Sequence, residues 1–335
     1  MKKSIFAVCD LDASYACNLM DYLNEKKTTP FEVQAFTNVE SLQAYAKERE
    51  IEILLISTRA MCNEIRDLPV NRTIILSEGE KLTDLEEYPF VYKYQSSDQL
   101  ISEVMEYYSV DHPQTQFMPV GMRETLLYGV YSPIGRARKT SFALTLGEIL
   151  AETKQVLYLN FEEFSGFEGL FQTSYRTDLS DLIYFARQKE GGLIFKLNSV
   201  IQTFHELQYV PPVISPGDIR DVSGAEWMKF LHEIISSCGY DVIVLDLSEQ
   251  VDDLFGLLAQ CDRIYTPVQD DMISQAKLAQ YEKLIHMLEQ DEILEKTRKL
   301  RLPVQVLQGD TDNLTQQLVW GAMGDFVRRM LWEET

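Results

Sequence analysis

The stretch GVYSPIGRARKTS, residues 129–141, concentrates groups that bind phosphate. Lys139 is followed by the hydroxyls of Thr140 and Ser141, and Arg136 and Arg138 precede it. An apolar run leads in and a helix-forming stretch leads out. Phosphate recognition uses these parts in this order: backbone N–H groups close around the anion, an ammonium reaches its outer oxygens, and a hydroxyl ligates magnesium. Two further segments offer matching groups. The apolar run YDVIVLD ends in Asp246, and VLYLNFEE carries Asn160 and Glu162 in its polar second half. The loop departs from the motif G-x-x-x-x-G-K-[ST], because its two glycine positions are Pro133 and Arg138. Only Gly135 remains at its centre. Arg136, Arg138 and Lys139 together reverse the local sign of a chain whose net charge is −21. On sequence, two readings stand: the arginines grip a nucleotide phosphate, or they pair with carboxylates in a structural loop.

These residues need a scaffold, and the hydrophobic pattern describes one. SIFAVCD, FEVQAFT, IEILLIS, RTIILSE and FVYKYQ read as short buried parallel strands. YACNLMDYLNEK, SLQAYAKERE and SSDQLISEVMEYYS have helical spacing between and after them, the last capped by Ser96 or Ser97. Residues 1–110 are thus expected to form a doubly wound α/β domain of flavodoxin-like type. Residues 111–123 carry prolines and no periodicity and read as a linker. Residues 124–335 restart the alternation. TLLYGVYS, QVLYLNFEE, YDVIVLDLSE, DRIYTPVQ and LPVQVLQGD read as strands, TSFALTLGEILAE and MISQAKLAQYEKLIHMLEQ as helices. The fold class expected is α/β, two doubly wound domains, the second a P-loop NTPase-like domain with a mostly parallel sheet.

Composition removes several function classes. The strong negative charge opposes binding to nucleic acid or to anionic lipid. The five cysteines form no CxxC pair, which argues against a disulfide framework or zinc site and for a reducing, cytoplasmic setting. No window approaches a membrane span in length, so stable membrane insertion is not expected. His112, His205, His232 and His286 show no metal-ligand spacing and read as ordinary core or surface residues. Asp252, Asp253, Asp270 and Asp271 follow strands in pairs and read as loop-tip carboxylates. The apolar positions Val319, Met323, Phe326, Val327, Met330 and Leu331 share one helical face, expected to close the second domain.

The first domain resembles a two-component receiver. Asp10 and Asp12 match its acidic cluster in part, Ser77 its fourth-strand hydroxyl and Lys93 its fifth-strand lysine. The phosphoacceptor position holds Ser57, which cannot form the acyl phosphate a carboxylate forms, so the resemblance implies the receiver fold without receiver phosphorylation. The second domain resembles the MinD/ParA group of deviant Walker A ATPases, whose loop reads K-G-G-x-G-K-T-[TS]. Laid on that motif, Lys139 is the invariant lysine, Thr140 the magnesium hydroxyl and Asp246 the Walker B aspartate. The signature lysine position is Ile134, two glycine positions are Arg136 and Arg138, and the acidic positions after the loop are Asn160 and Glu162. The combination is similar to the TadZ/CpaE family, which localises pilus and secretion assemblies. The resemblance implies ATP and Mg2+ as cofactors, with Gly135, Arg136, Arg138, Lys139, Thr140, Ser141, Asn160, Glu162 and Asp246 around the nucleotide and Thr140 and Asp246 on the metal. It implies a homodimer with protein partners in a Flp/Tad-type pilus or secretion machine, placed at the inner face of the membrane or the cell pole. The losses at Ile134 and Asn160 remove charge that phosphoryl transfer depends on, so weak or absent hydrolysis is expected. A slow ATPase and a pseudo-response regulator that binds no nucleotide are the alternatives.

Overall fold

A computed structural model of the chain describes residues 4–25, 31–79, 85, 87–111, 125–188, 192–305 and 314–334. The expected linker at 111–123 and His112 lie, apart from Asp111, outside the described residues. Segments Met1–Met122, Lys189–Ser199 and Ser236–Cys238 make one compact unit, and the rest of the chain makes a second.

In the first unit, β1 (Ser4–Cys9), β2 (Phe31–Phe36), β3 (Ile51–Ser57), β4 (Val70–Ser77) and β5 (Phe90–Tyr92) form one sheet in the order β2-β1-β3-β4-β5. Every pairing in it is parallel. That is the flavodoxin-like order, in which the chain reverses direction beside β1. Strands β1 and β3 are buried nearly throughout, as unbroken apolar runs flanked by helices must be. The helix Ser97–Asp111 follows β5, and the Ser96 hydroxyl accepts the Gln99 N–H at 3.3 Å as its cap. The second half of the sequence lends this unit a helical segment whose Phe195 ring meets Tyr108 at 4.7 Å and Phe31 at 5.8 Å.

The second unit is built on seven strands: β6 (Leu126–Val130), β7 (Val156–Phe161), β8 (Gln202–Phe204), β9 (Leu207–Tyr209), β10 (Val242–Leu247), β11 (Arg263–Pro267) and β12 (Thr297–Leu300). Their order is β12-β11-β6-β10-β7-β9-β8, parallel except for the β8–β9 hairpin. From β6 the chain runs to β7 on one side, returns to β10 between them, and then crosses to β11 on the other side. The carboxyl ends of β6 and β10 therefore lie at the switch point, where open α/β sheets hold ligands. The helix Lys139–Ala151 crosses from β6 and is buried at every position from Phe142 to Ala151. The closing helix Ala322–Glu333 packs Met323, Val327 and Met330 into the same core, with Val319 ahead of it and Phe326 and Leu331 at its margin.

One strand expectation is corrected, and one short hairpin was not expected. The last strand is Thr297–Leu300 rather than LPVQVLQGD: residues 301–305 are in no strand, and 306–310 lie outside the described residues. The edge position explains how so polar a segment can pair. Arg298 meets Glu333 at 2.6 Å and Glu334 at 2.8 Å, and Lys299 pairs with Glu282, while a strand edge open to solvent tolerates such charges. The short hairpin β8–β9 has no apolar run long enough to announce it, and it joins the sheet because β9 pairs with β7.

Candidate functional site

The register of the central strands sets the site. Asp246 in β10 lies opposite Val130, the last residue of β6, and on its other side opposite Asn160 in β7. The loop that leaves β6 thus opens directly beside a wholly buried carboxylate. Ser132 fixes the start of this loop: its hydroxyl donates to the Pro267 carbonyl at 2.7 Å and accepts the Ile134 N–H at 3.1 Å.

Arg136 and Arg138 adopt left-handed backbone conformations, with φ of 61° and 63°. This is the region glycine enters freely and an L-residue enters at a cost of about 1 kcal/mol or more. The resemblance places glycines at these two positions. Both arginines thus take backbone angles usual for glycine. Gly135, the one glycine left, has no positive φ, and a Cβ there would meet nothing within 4 Å. The loop ends on Arg138, the N-cap residue of helix Lys139–Ala151; among the described residues no side chain caps that helix. Uncapped N–H groups at the start of a helix of this length suit an anion.

The two arginines have different surroundings. Arg138 donates to the Leu302 carbonyl at 3.1 Å and so ties the loop to the chain after β12. Arg136 is exposed; its carbonyl accepts from Gln269 at 3.4 Å, and among the described residues its guanidinium has no hydrogen bond or ion pair. Ile134 is buried in the loop base, 5% exposed, and presents no charge.

Lys139 is turned toward the ends of β10 and β7. Its ammonium donates to the Leu247 carbonyl, meets Glu162 Oε1 at 2.5 Å and lies 3.8 Å from Asp246 Oδ1. Asp246 Oδ2 accepts from the Tyr158 hydroxyl at 3.0 Å and from Asn160 Nδ2 at 3.4 Å. Asn160 Nδ2 also donates to the Tyr158 oxygen at 2.8 Å, and Asn160 Oδ1 accepts the Glu162 N–H at 2.9 Å. Among the described residues no hydrogen-bond donor meets Asp246 Oδ1. Burial pushes the Asp246 carboxyl up to about 6, against the pull of Lys139 and of the Thr140 and Tyr158 hydroxyls, with Glu162 adding to the rise. Burial also pushes the Tyr158 phenol well above its ordinary range, so it stays a donor.

Lys139, Thr140, Asn160, Glu162 and Asp246 are therefore brought together, with Gly135 and Arg136 on the loop's exposed rim. Ser141 lies in the first turn of the helix, where its carbonyl accepts the Thr145 hydroxyl at 2.6 Å. The residue that sequence reasoning missed is Tyr158. Strand alternation puts residues 158 and 160 on one face, so a phenol in an aliphatic run was the available signal.

The paired aspartates serve the backbone and surface. Asp252 accepts the Gly224 N–H, Asp253 and Asp271 cap helices, and Asp270 meets Arg301 at 2.8 Å. His205 lies 3.2 Å from Glu148, His286 contacts Asp291, and His232 is exposed. Among the described residues no group of three His, Cys, Asp or Glu side chains could hold a metal, and no helix is long and apolar enough to cross a membrane.

The first unit has its own polar cluster at the carboxyl edge of its sheet. Lys93 meets Asp10 Oδ2 at 2.7 Å and Glu78 Oε1 at 3.2 Å, and both Lys93 and Asp10 are almost fully buried. The Lys93 N–H donates to the Ser77 carbonyl, and Ser77 Oγ accepts the Gly79 N–H at 3.1 Å. Asp12 is exposed and caps the turn at Tyr15. Ser57 is buried, and among the described residues its hydroxyl meets no hydrogen-bond partner. Glu78, which the sequence pattern did not single out, closes the ion-pair cluster.

No protein-family model and no curated protein sequence matches the chain. Solved structures do. The chain is similar to a ParA family ATPase from Chlorobium tepidum TLS, with 16% identity, 61% of this chain and 92% of that one covered, and a TM-score of 0.45. It is similar to cobyrinic acid a,c-diamide synthase from Mycobacterium smegmatis, with 14% identity, 61% and 81% covered, and a TM-score of 0.41. A third similar structure is the ATP complex of a Cyanothece McdA variant, with 12% identity, 59% and 79% covered, and a TM-score of 0.41.

Proposed function

We propose that this protein is a nucleotide-responsive scaffold that binds MgATP in its second unit and hydrolyses it slowly or not at all. The observation that carries this reading is the cradle itself. A lysine at a helix N-terminus, a buried carboxylate opposite it, and a loop held in glycine's conformation by two arginines converge at the sheet's switch point. Keeping that strained path without glycine is costly, and phosphate binding is what the path serves. Lys139 would turn from Glu162 to the outer phosphate oxygens, and Arg136, exposed on the rim, would add a second cation. Arg138, held by Leu302, is the structural one of the pair.

Thr140 and Asp246 fit a magnesium ion. A buried carboxylate oxygen without a hydrogen-bond donor, beside a hydroxyl, lacks a partner that a cation would supply, and magnesium takes few protein ligands when phosphates and waters supply the rest. Bound there, magnesium would neutralise phosphate charge. Asn160 spends its amide on Asp246, Tyr158 and Glu162 and holds no proton-accepting group for water. Little turnover follows.

In the first unit Ser57 occupies the phosphoacceptor position and Lys93 is already paired with Asp10 and Glu78, which supports a receiver-like unit used for protein contacts. The order of parts along the chain, similar to TadZ/CpaE proteins, supports a cytoplasmic homodimer that recruits components of a pilus or secretion assembly at the membrane's inner face.

Titration calorimetry with MgATP on the wild type, Lys139→Ala, Arg136→Ala and Arg138→Ala tests the reading. The wild type should bind. Lys139→Ala and Arg136→Ala should bind more than about tenfold more weakly, since charge-assisted bonds are worth roughly 1.5–3 kcal/mol. Arg138→Ala should chiefly lower the melting temperature. No heat from the wild type, or equal affinity in Lys139→Ala, would refute it.

A further inference from the structure

We infer that Tyr158 is a positioning residue for Asp246, matched to Asn160, and that it turns a single carboxylate oxygen toward the cation beside Lys139. The inference rests on the nucleotide reading and deepens it.

Tyr158 is fully buried in the middle of β7, between Leu157 and Leu159. A phenol there must satisfy its hydroxyl or lose stability, and an aliphatic residue would fill the strand at less risk. Its hydroxyl bonds the carboxylate of the site. The direction of that bond is fixed by chemistry. Asp246 Oδ2 has no proton to give when ionised, so Tyr158 donates to it at 3.0 Å. The phenol oxygen then accepts from Asn160 Nδ2 at 2.8 Å, and the same Nδ2 lies 3.4 Å from Oδ2.

Asn160 is held as tightly from behind, since its Oδ1 accepts the Glu162 N–H. An aspartate at 160 would have no N–H for either the phenol or Oδ2, and would set a second carboxylate against a buried one. Tyr158 and Asn160 therefore belong together. They hold Oδ2 and leave Oδ1, which is buried, meets no donor among the described residues and lies 3.8 Å from Lys139 Nζ, as the carboxylate oxygen still lacking a partner. Outer hydrogen bonds of this kind fix a ligand's orientation, and their loss weakens metal affinity by roughly 10–100-fold.

The test measures ATP affinity of the full chain by calorimetry with Mg2+ and again with EDTA. In the wild type Mg2+ should raise affinity. Tyr158→Phe should lose about tenfold or more of that gain and leave the affinity in EDTA unchanged, because Lys139 and the loop N–H groups make the phosphate contacts. Asn160→Ala should lose a smaller part of the gain, and it carries the test if Tyr158→Phe does not fold. A Tyr158→Phe protein that gains as much from Mg2+ as the wild type overturns the inference alone. So does an equal loss with Mg2+ and with EDTA, which would mark a merely structural tyrosine. A wild type that takes up no ATP in either buffer overturns the nucleotide reading, and this inference with it.

Discussion

Replacing Asp246 by asparagine should make the ligand-free protein more stable at neutral pH. The carboxyl is wholly buried, and its pKa stands at about 6 rather than its ordinary 3.8. At about 1.4 kcal/mol per tenfold shift, holding it ionised costs the fold on the order of 3 kcal/mol relative to the unfolded chain. Between those two values the native state binds more protons than the unfolded state, so this contribution weakens stability as pH rises through about 4 to 6 and stays lost above. Asparagine removes the titration and keeps an oxygen to accept from Tyr158 and Asn160. The gain of Asp246→Asn over wild type should therefore be small at pH 4 and grow to about 3 kcal/mol by pH 7.5. All three tryptophans, Trp227, Trp320 and Trp332, lie in the second unit, so urea unfolding followed by tryptophan fluorescence across this pH range reports the right unit. A pH-independent difference, or a variant less stable than wild type at pH 7.5, would refute the reasoning. Adding MgATP should narrow or reverse the difference, because the protein that keeps its carboxylate binds the ligand more tightly and gains more from it.

Two further predictions concern the scaffold. Lys93→Ala leaves Asp10 buried without a counter-charge, so the first unit should lose roughly 3–5 kcal/mol; this is measurable by hydrogen exchange of the amides of β1 and β3. Retained protection would show that the ion pair is dispensable. Gly129→Ala would set a Cβ 2.8 Å from Cys261 Sγ, so it should cost about 1–3 kcal/mol by urea unfolding. Adding Cys261→Ala should recover most of that loss.

The sequence by itself determined the number of sheets, the strands that carry the site and the identity of its main charges. Buried parallel strands are unbroken apolar runs, so Asp246 could be named from the end of one such run and Lys139 from the loop pattern between another such run and a helix. Tertiary structure decided what no run of neighbours encodes. Arg138 is tied to the chain after β12 because the Leu302 carbonyl lies beside it, whereas among the described residues nothing comparable meets the Arg136 guanidinium. The glycine-like path of both arginines depends on backbone angles that composition argues against. The polar edge strand Thr297–Leu300 pairs because Glu282, Glu333 and Glu334 supply its counter-charges. Phe195 belongs with Phe31 and Tyr108 although the chain between them passes through another unit. Tyr158 reaches Asp246 only because β7 and β10 are registered as neighbours. Local spacing fixes which face a side chain takes, whereas contacts between residues far apart in the chain are fixed by which strands and segments the folded core sets side by side.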